Sequence, residues 1–108
     1  MKAYIGLYTA RLEMPWVRSL KEKRSLIKPI LEQIRARFPV SAARLAGQET
    51  WDWEIIGLSV LSADGHWVEE VLQAAARFLN EQGSFRVAEE SLTVDGYSLE
   101  ELIPFPPS

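Results

Sequence analysis

The sequence predicts an α+β fold in which four antiparallel strands carry two helices on one face. Three observations lead there. Two segments, 20–38 and 65–80, repeat their apolar residues at helical spacing. Segments rich in β-forming residues flank and separate them, giving the order β-α-β-β-α-β. No internal repeat, linker or low-complexity run interrupts that order within the 108 residues.

Residues 2–12 (KAYIGLYTARL) alternate, with Ala3, Ile5 and Leu7 on one face and Tyr4, Gly6 and Tyr8 on the other. They read as a central strand. Pro15 biases Met14 away from helix, so Glu13 to Arg18 is a loop. Ser19-Leu20-Lys21-Glu22 fits a capping box: Ser19 accepts from the Glu22 amide and Glu22 reaches back to the Ser19 amide. Beyond it Leu20, Ile27, Ile30, Leu31, Ile34 and Phe38 fall in one arc, with Leu26 at its edge. Lys21, Arg24, Lys28 and Arg35 form a separate stripe along the helix flank. Pro29 cannot donate to the Ser25 carbonyl, but the periodicity continues in phase beyond it. A single bent helix is therefore expected from about Leu20 to Arg37.

Pro39 stops that helix, and Val40 to Ala46 is a short strand suited to an edge. After the turn Gly47-Gln48-Glu49 comes a long strand, Trp51 to Leu61. It sets Ile56, Leu58 and Val60 on one face, and Trp51, Trp53 and Ile55 on the other. Asp64 caps a helix from Gly65 to Asn80, whose buried stripe is Val68, Val71, Leu72, Ala75, Phe78 and Leu79. Gly83, in a left-handed conformation, is expected to end it. Phe85 to Val94 is the last strand. Two split β-α-β units with right-handed crossovers place the first and third strands at the centre, which is the ferredoxin-like architecture. That domain spans residues 1–96. Residues 97–108 form a Pro-rich tail, either loose or laid across the surface.

Composition removes whole classes of chemistry. With no cysteine, there is no disulfide scaffold, thiolate zinc site, iron–sulfur cluster or cysteine nucleophile. The lone histidine, His66, excludes a site needing two imidazoles. It stands near Asp64 and Glu69, but no nucleophile or oxyanion donor accompanies it, so it reads as a surface residue. Glu69-Glu70 and Glu89-Glu90 are adjacent pairs that point to different faces. No Gly-rich phosphate loop or metal-ligand spacing is present. No catalytic residue, cofactor or metal is expected. Without a long apolar span or a signal-peptide pattern, no membrane association is expected either, and the location should be cytoplasmic.

Charge is unevenly placed on this chain of net charge −3. Residues 11–44 hold nine basic side chains against three acidic, a net of +6. Residues 45–108 hold two basic against twelve acidic, a net of −10. Such a molecule offers one face to an anionic partner.

The run Arg18-Ser19-Leu20-Lys21-Glu22-Lys23-Arg24-Ser25 is more specific than periodicity. With Leu7 to Pro15 before it, and Gly47-Gln48, Trp51 and Ser62 to Glu70 after it, it resembles the signature of the YlxP-like family. This is a bacterial family of unknown function, and the resemblance covers residues 1 to about 95. It implies a ferredoxin-like fold with no established enzymatic activity. Its genes often stand beside those for translation and ribosome-maturation factors, which implies a connection to RNA or the ribosome. The chain departs from the family pattern at Pro29 and in the Pro-rich tail.

Two surfaces follow. Trp16, Arg18, Lys21, Lys23, Arg24 and Lys28 would contact RNA or a ribosomal component, the cations meeting phosphates and the indole stacking on a base. Alternatively Tyr4, Tyr8, Trp51 and Trp53, expected on the sheet face without helices, would form a homodimer interface. The aromatic strand 51–58 lacks the basic residue that RNA-reading sheets carry and has two acids instead.

Overall fold

The computed structural model describes residues 1–104; the tail residues 105–108 lie outside the described residues. The elements are β1 (Lys2–Glu13), α1 (Leu20–Arg37), β2 (Ser41–Ala46), β3 (Trp53–Ser62), α2 (Gly65–Asn80), β4 (Arg86–Ser98) and the single turn α3 (Leu99–Leu102). The four strands form one antiparallel sheet in the order β2-β3-β1-β4, so β1 and β3 are central. This is the expected α+β, ferredoxin-like arrangement. β4 runs further than its apolar pattern suggests, pairing Tyr97 with Ala3 and Ser98 with Lys2. The first two residues of the expected tail therefore belong to the sheet, and the next four to α3.

Each helix buries the stripe that its periodicity marked. Ile27, Ile30, Leu31 and Ile34 of α1, with Val68, Leu72, Ala75 and Leu79 of α2, close over Ile56, Leu58 and Val60 of β3. Each of these Val, Leu and Ile side chains contributes about 1.5–3 kcal/mol by leaving water. From β1 the core takes Tyr8, Ala10 and Leu12, with Tyr4 packed at its margin. Here the expectation for Tyr4 and Tyr8 is corrected: both face the helices, not the open side. The alternation along β1 is as read, but its face is set by pairing, which puts Tyr8 opposite Leu58 and Tyr4 opposite Ser62. Gly6 lies between them under α2, where a Cβ would stand 2.4 Å from Val68 Cγ1 and 2.6 Å from Leu72 Cδ1. A side chain at Gly6 would push α2 off the sheet. The buried Tyr8 hydroxyl donates to Glu90 at 2.5 Å, and Asn80 donates to the same carboxylate at 3.2 Å.

The helix ends show how local chemistry sets the boundaries. Ser19 Oγ accepts from the Glu22 amide at 3.0 Å, but Glu22 reaches back to the Arg18 amide rather than to that of Ser19. α1 runs unbroken through Pro29, which lies on the exposed side with Ser25. Asp64 caps α2 by accepting from the Trp67 amide. At the other end Gly83 is not left-handed; among the described residues the only glycine with positive φ is Gly47, at 79°. The last carbonyls of α2 are met instead by the Glu81 amide, bonding Arg77 and Phe78, and by the Gln82 side chain on Phe78. A left-handed residue is then unnecessary.

Candidate nucleic-acid interface

The stripe along α1 separates into an outer and an inner set. Lys21, Arg24 and Lys28 are exposed, as is Arg18 just before the helix. Lys23 is not. Its side chain is fully buried, and Nζ donates to the Gly47 carbonyl at 2.6 Å and the Trp53 carbonyl at 3.0 Å, with Glu54 Oε1 at 3.1 Å. The expectation that Lys23 contacts phosphate is therefore corrected. Its helical position points beneath α1, and a buried ammonium must be paired and hydrogen-bonded to stay there.

Glu54 is fully buried as well and takes a second cation. Arg44 of β2 grips it with Nε at 2.6 Å and Nη2 at 2.7 Å. The hydrogen bond to Glu54 raises the Arg44 pKa above its ordinary value, keeping the guanidinium charged. Two cations on one carboxylate leave a net charge of +1, and Arg44 is the member that reaches the surface.

That surface is a groove of about 360 Å³ between α1 and β2, lined by Arg24, Lys28, Leu31, Glu32, Arg35, Arg44 and Gln48. Arg35 donates to the Ala42 carbonyl at 2.7 Å and Gln48 to the Arg44 carbonyl at 3.0 Å, so both walls are braced. Sequence reasoning placed Arg35 in the stripe but missed Arg44, Gln48 and the buried Glu54. Helical spacing announces Arg35; nothing local announces a pairing made across two strands.

The expected indoles lie at the same end of the molecule. Trp16 and Trp51 are each more than half exposed. The Met14 amide donates to the Asp52 carbonyl at 2.8 Å, tying the Trp16 loop to the segment that carries Trp51. Lys23 then ties that segment to the first turns of α1. Trp53 lies on the open face with Arg11 5.5 Å from its ring centroid. Of the four expected interface aromatics only Trp53 stands on the open face; Trp51 lies in the bend before β3 rather than in the sheet. The face also carries the exposed Ile5, Leu7, Leu61 and Tyr97 among charged residues such as Arg11, Glu89 and Asp95. His66 is exposed and meets Glu70 at 2.9 Å, not Asp64 or Glu69. Among the described residues no group of three His, Asp or Glu side chains is placed to hold a metal, and no helix is long and apolar enough to cross a membrane.

The model of a family described as a protein of unknown function, DUF503, matches residues 5–91. The chain belongs to this family. The DUF503 stretch includes Lys23, Arg44 and Glu54, and so contains both the buried cluster and the groove above it. The chain is also 33% identical over 75 residues to the uncharacterized protein YlxP of Bacillus subtilis (strain 168), covering 69% of this chain and 78% of that one. The expected likeness to the YlxP-like family is thus confirmed. Among solved structures, the de novo designed protein Foldit4 aligns over 91% of this chain and 98% of its own, with a TM-score of 0.46 and 14% identity.

Proposed function

We propose that this DUF503 member is a non-enzymatic cytoplasmic module that binds RNA, free or as a ribosomal component, through the outer side of α1. One observation carries the reading: Arg18, Lys21, Arg24 and Lys28 stand exposed in a stripe beside the exposed Trp16 and Trp51. Spaced cations suit a phosphate backbone, and an exposed indole offers a base a stacking surface. The buried Lys23 fixes the helix end that presents them.

The test is binding to a single-stranded oligoribonucleotide and to purified ribosomal subunits, at low and physiological salt, beside Lys21→Glu/Arg24→Glu. Each phosphate contact contributes a slope of about −0.7 to log affinity against log salt on single strands, so four contacts give about −3. The double variant should lose most of the affinity and flatten the slope. Equal binding by both proteins, or no binding by the wild type, overturns the reading.

A second reading rests on the open sheet face, where Ile5, Leu7, Leu45 and Leu61 are 43–69% exposed. Its occupant would be a second copy of this chain. Arg11 and Arg86 nearly balance Glu13, Glu89 and Asp95 on that face, so two copies meet little repulsion. Such a dimer would persist in high salt and fall apart in Leu61→Glu, as read by sedimentation. A monomer at the highest attainable concentration removes this reading.

A further inference from the structure

We propose that the groove between α1 and β2 is a phosphate seat, in which Arg44, Arg35 and Gln48 hold one phosphate group and Arg24 and Lys28 close over it. This deepens the RNA-binding reading and rests on it for the source of that phosphate. Three features distinguish the groove from a solvated charged face.

The first is its excess charge. The Lys23–Glu54–Arg44 cluster carries +1 into the groove wall, and Arg24, Lys28 and Arg35 add three more cations against the single carboxylate of Glu32. Lys23 and Glu54 are fully buried and offset one another, so the excess charge of the cluster is presented to the groove by Arg44. An anion in the groove would supply the missing counter-charge.

The second is preorganisation. An exposed arginine ordinarily loses side-chain freedom when it binds. Here Arg44 is already held by Glu54 through Nε and Nη2, leaving Nη1 for a ligand. Arg35 is held through Nη2 on the Ala42 carbonyl, and Gln48 through its amide on the Arg44 carbonyl. The third feature is shape. The groove volume of about 360 Å³ exceeds one phosphate group and accommodates its ester substituents, over a floor formed by the buried Leu31. A tetrahedral phosphate, with three or more acceptor oxygens pointing in different directions, can meet several converging donors at once.

The probes are inorganic phosphate and an octauridylate with and without a 5′-phosphate, followed by amide and guanidinium shifts in the nuclear magnetic resonance spectrum. Inorganic phosphate should shift Arg35, Arg44 and Gln48. A preference for the 5′-phosphorylated strand marks a terminal phosphate, and equal binding of the two strands with the same shifts marks an internal phosphodiester. Arg44→Lys keeps a cation on Glu54 but removes the fork; Arg35→Ala removes an exposed donor without disturbing the core. Each should weaken oligonucleotide binding about tenfold, the scale of one lost charge-assisted contact. Full-affinity RNA binding by both variants, with no groove shifts, overturns the seat while leaving the outer stripe intact. Groove shifts with phosphate alone, in a protein that binds no RNA, support the seat and overturn the RNA reading.

Discussion

Lys21 and Lys23 stand two residues apart on one helix and do opposite things. Successive residues turn about 100° around a helix, so two steps carry a side chain to the far side. Lys21 projects into solvent, while Lys23 projects under α1 onto two carbonyls and a carboxylate. The difference teaches that a run of like charges is not one feature: helical phase divides it into a binding surface and a structural pin. Lys23→Ala is the hardest test of that division. It removes one of two cations from the buried Glu54 and the donor from the Gly47 and Trp53 carbonyls. Because Arg44 still pairs Glu54, the cost is that of the lost charge-assisted hydrogen bonds, about 1.5–3 kcal/mol, read as the shift in urea midpoint. A loss below about 1 kcal/mol would show that Lys23 is solvated after all and dissolve the contrast.

The same contrast can be sharpened with a group that is buried neutral. Tyr8 donates to Glu90 beneath α2, and burial raises its pKa above the ordinary 10.0, with the Glu90 carboxylate adding to the rise. The folded protein therefore keeps this proton at pH values where the unfolded chain releases it. Stability from this group is complete below about pH 10 and declines as the pH rises further. Tyr8→Phe should cost about 1 kcal/mol at neutral pH, since Glu90 retains Asn80 as a donor. Above pH 10 the gap between the two proteins should narrow, measured by urea melts at stepped pH. A constant gap would mean that Tyr8 ionises alike in both states.

Much of this was legible in the sequence, and the failures share a cause. The six main elements and the central placement of β1 and β3 follow from apolar period and the crossover rule, both local or nearly so. The faces of β3 were legible because Ile56, Leu58 and Val60 alternate with Gly57 and Ser59. Those of β1 were not: Ala3, Ile5 and Leu7 are as apolar as Tyr4, Gly6 and Tyr8, so alternation finds two sets without ranking them. The pairing of Tyr8 with Leu58 and the clearance at Gly6 decide it, and both are tertiary facts. In the candidate site, the outer cations were legible as a stripe, whereas Lys23 looked like one more of them. Its partners lie on β3 and in the turn before it, and only folding brings these together. Glu54 suffered the same fate, passing for a surface acid in an aromatic strand.

The smallest stability effect belongs to Lys21→Ala, and it completes the comparison. Among the described residues the Lys21 side chain makes no hydrogen bond or ion pair, and it stands exposed. Its removal should leave the urea midpoint within about 0.5 kcal/mol of wild type. The same change should lower RNA affinity several-fold and flatten the salt slope by about 0.7, one phosphate contact's worth on a single strand. Stability and affinity then separate cleanly between two lysines in one helix. If Lys21→Ala instead left the affinity and the slope untouched, the outer stripe would be a solvated face, and the run from Arg18 to Ser25 would serve only the helix cap and the inner pin.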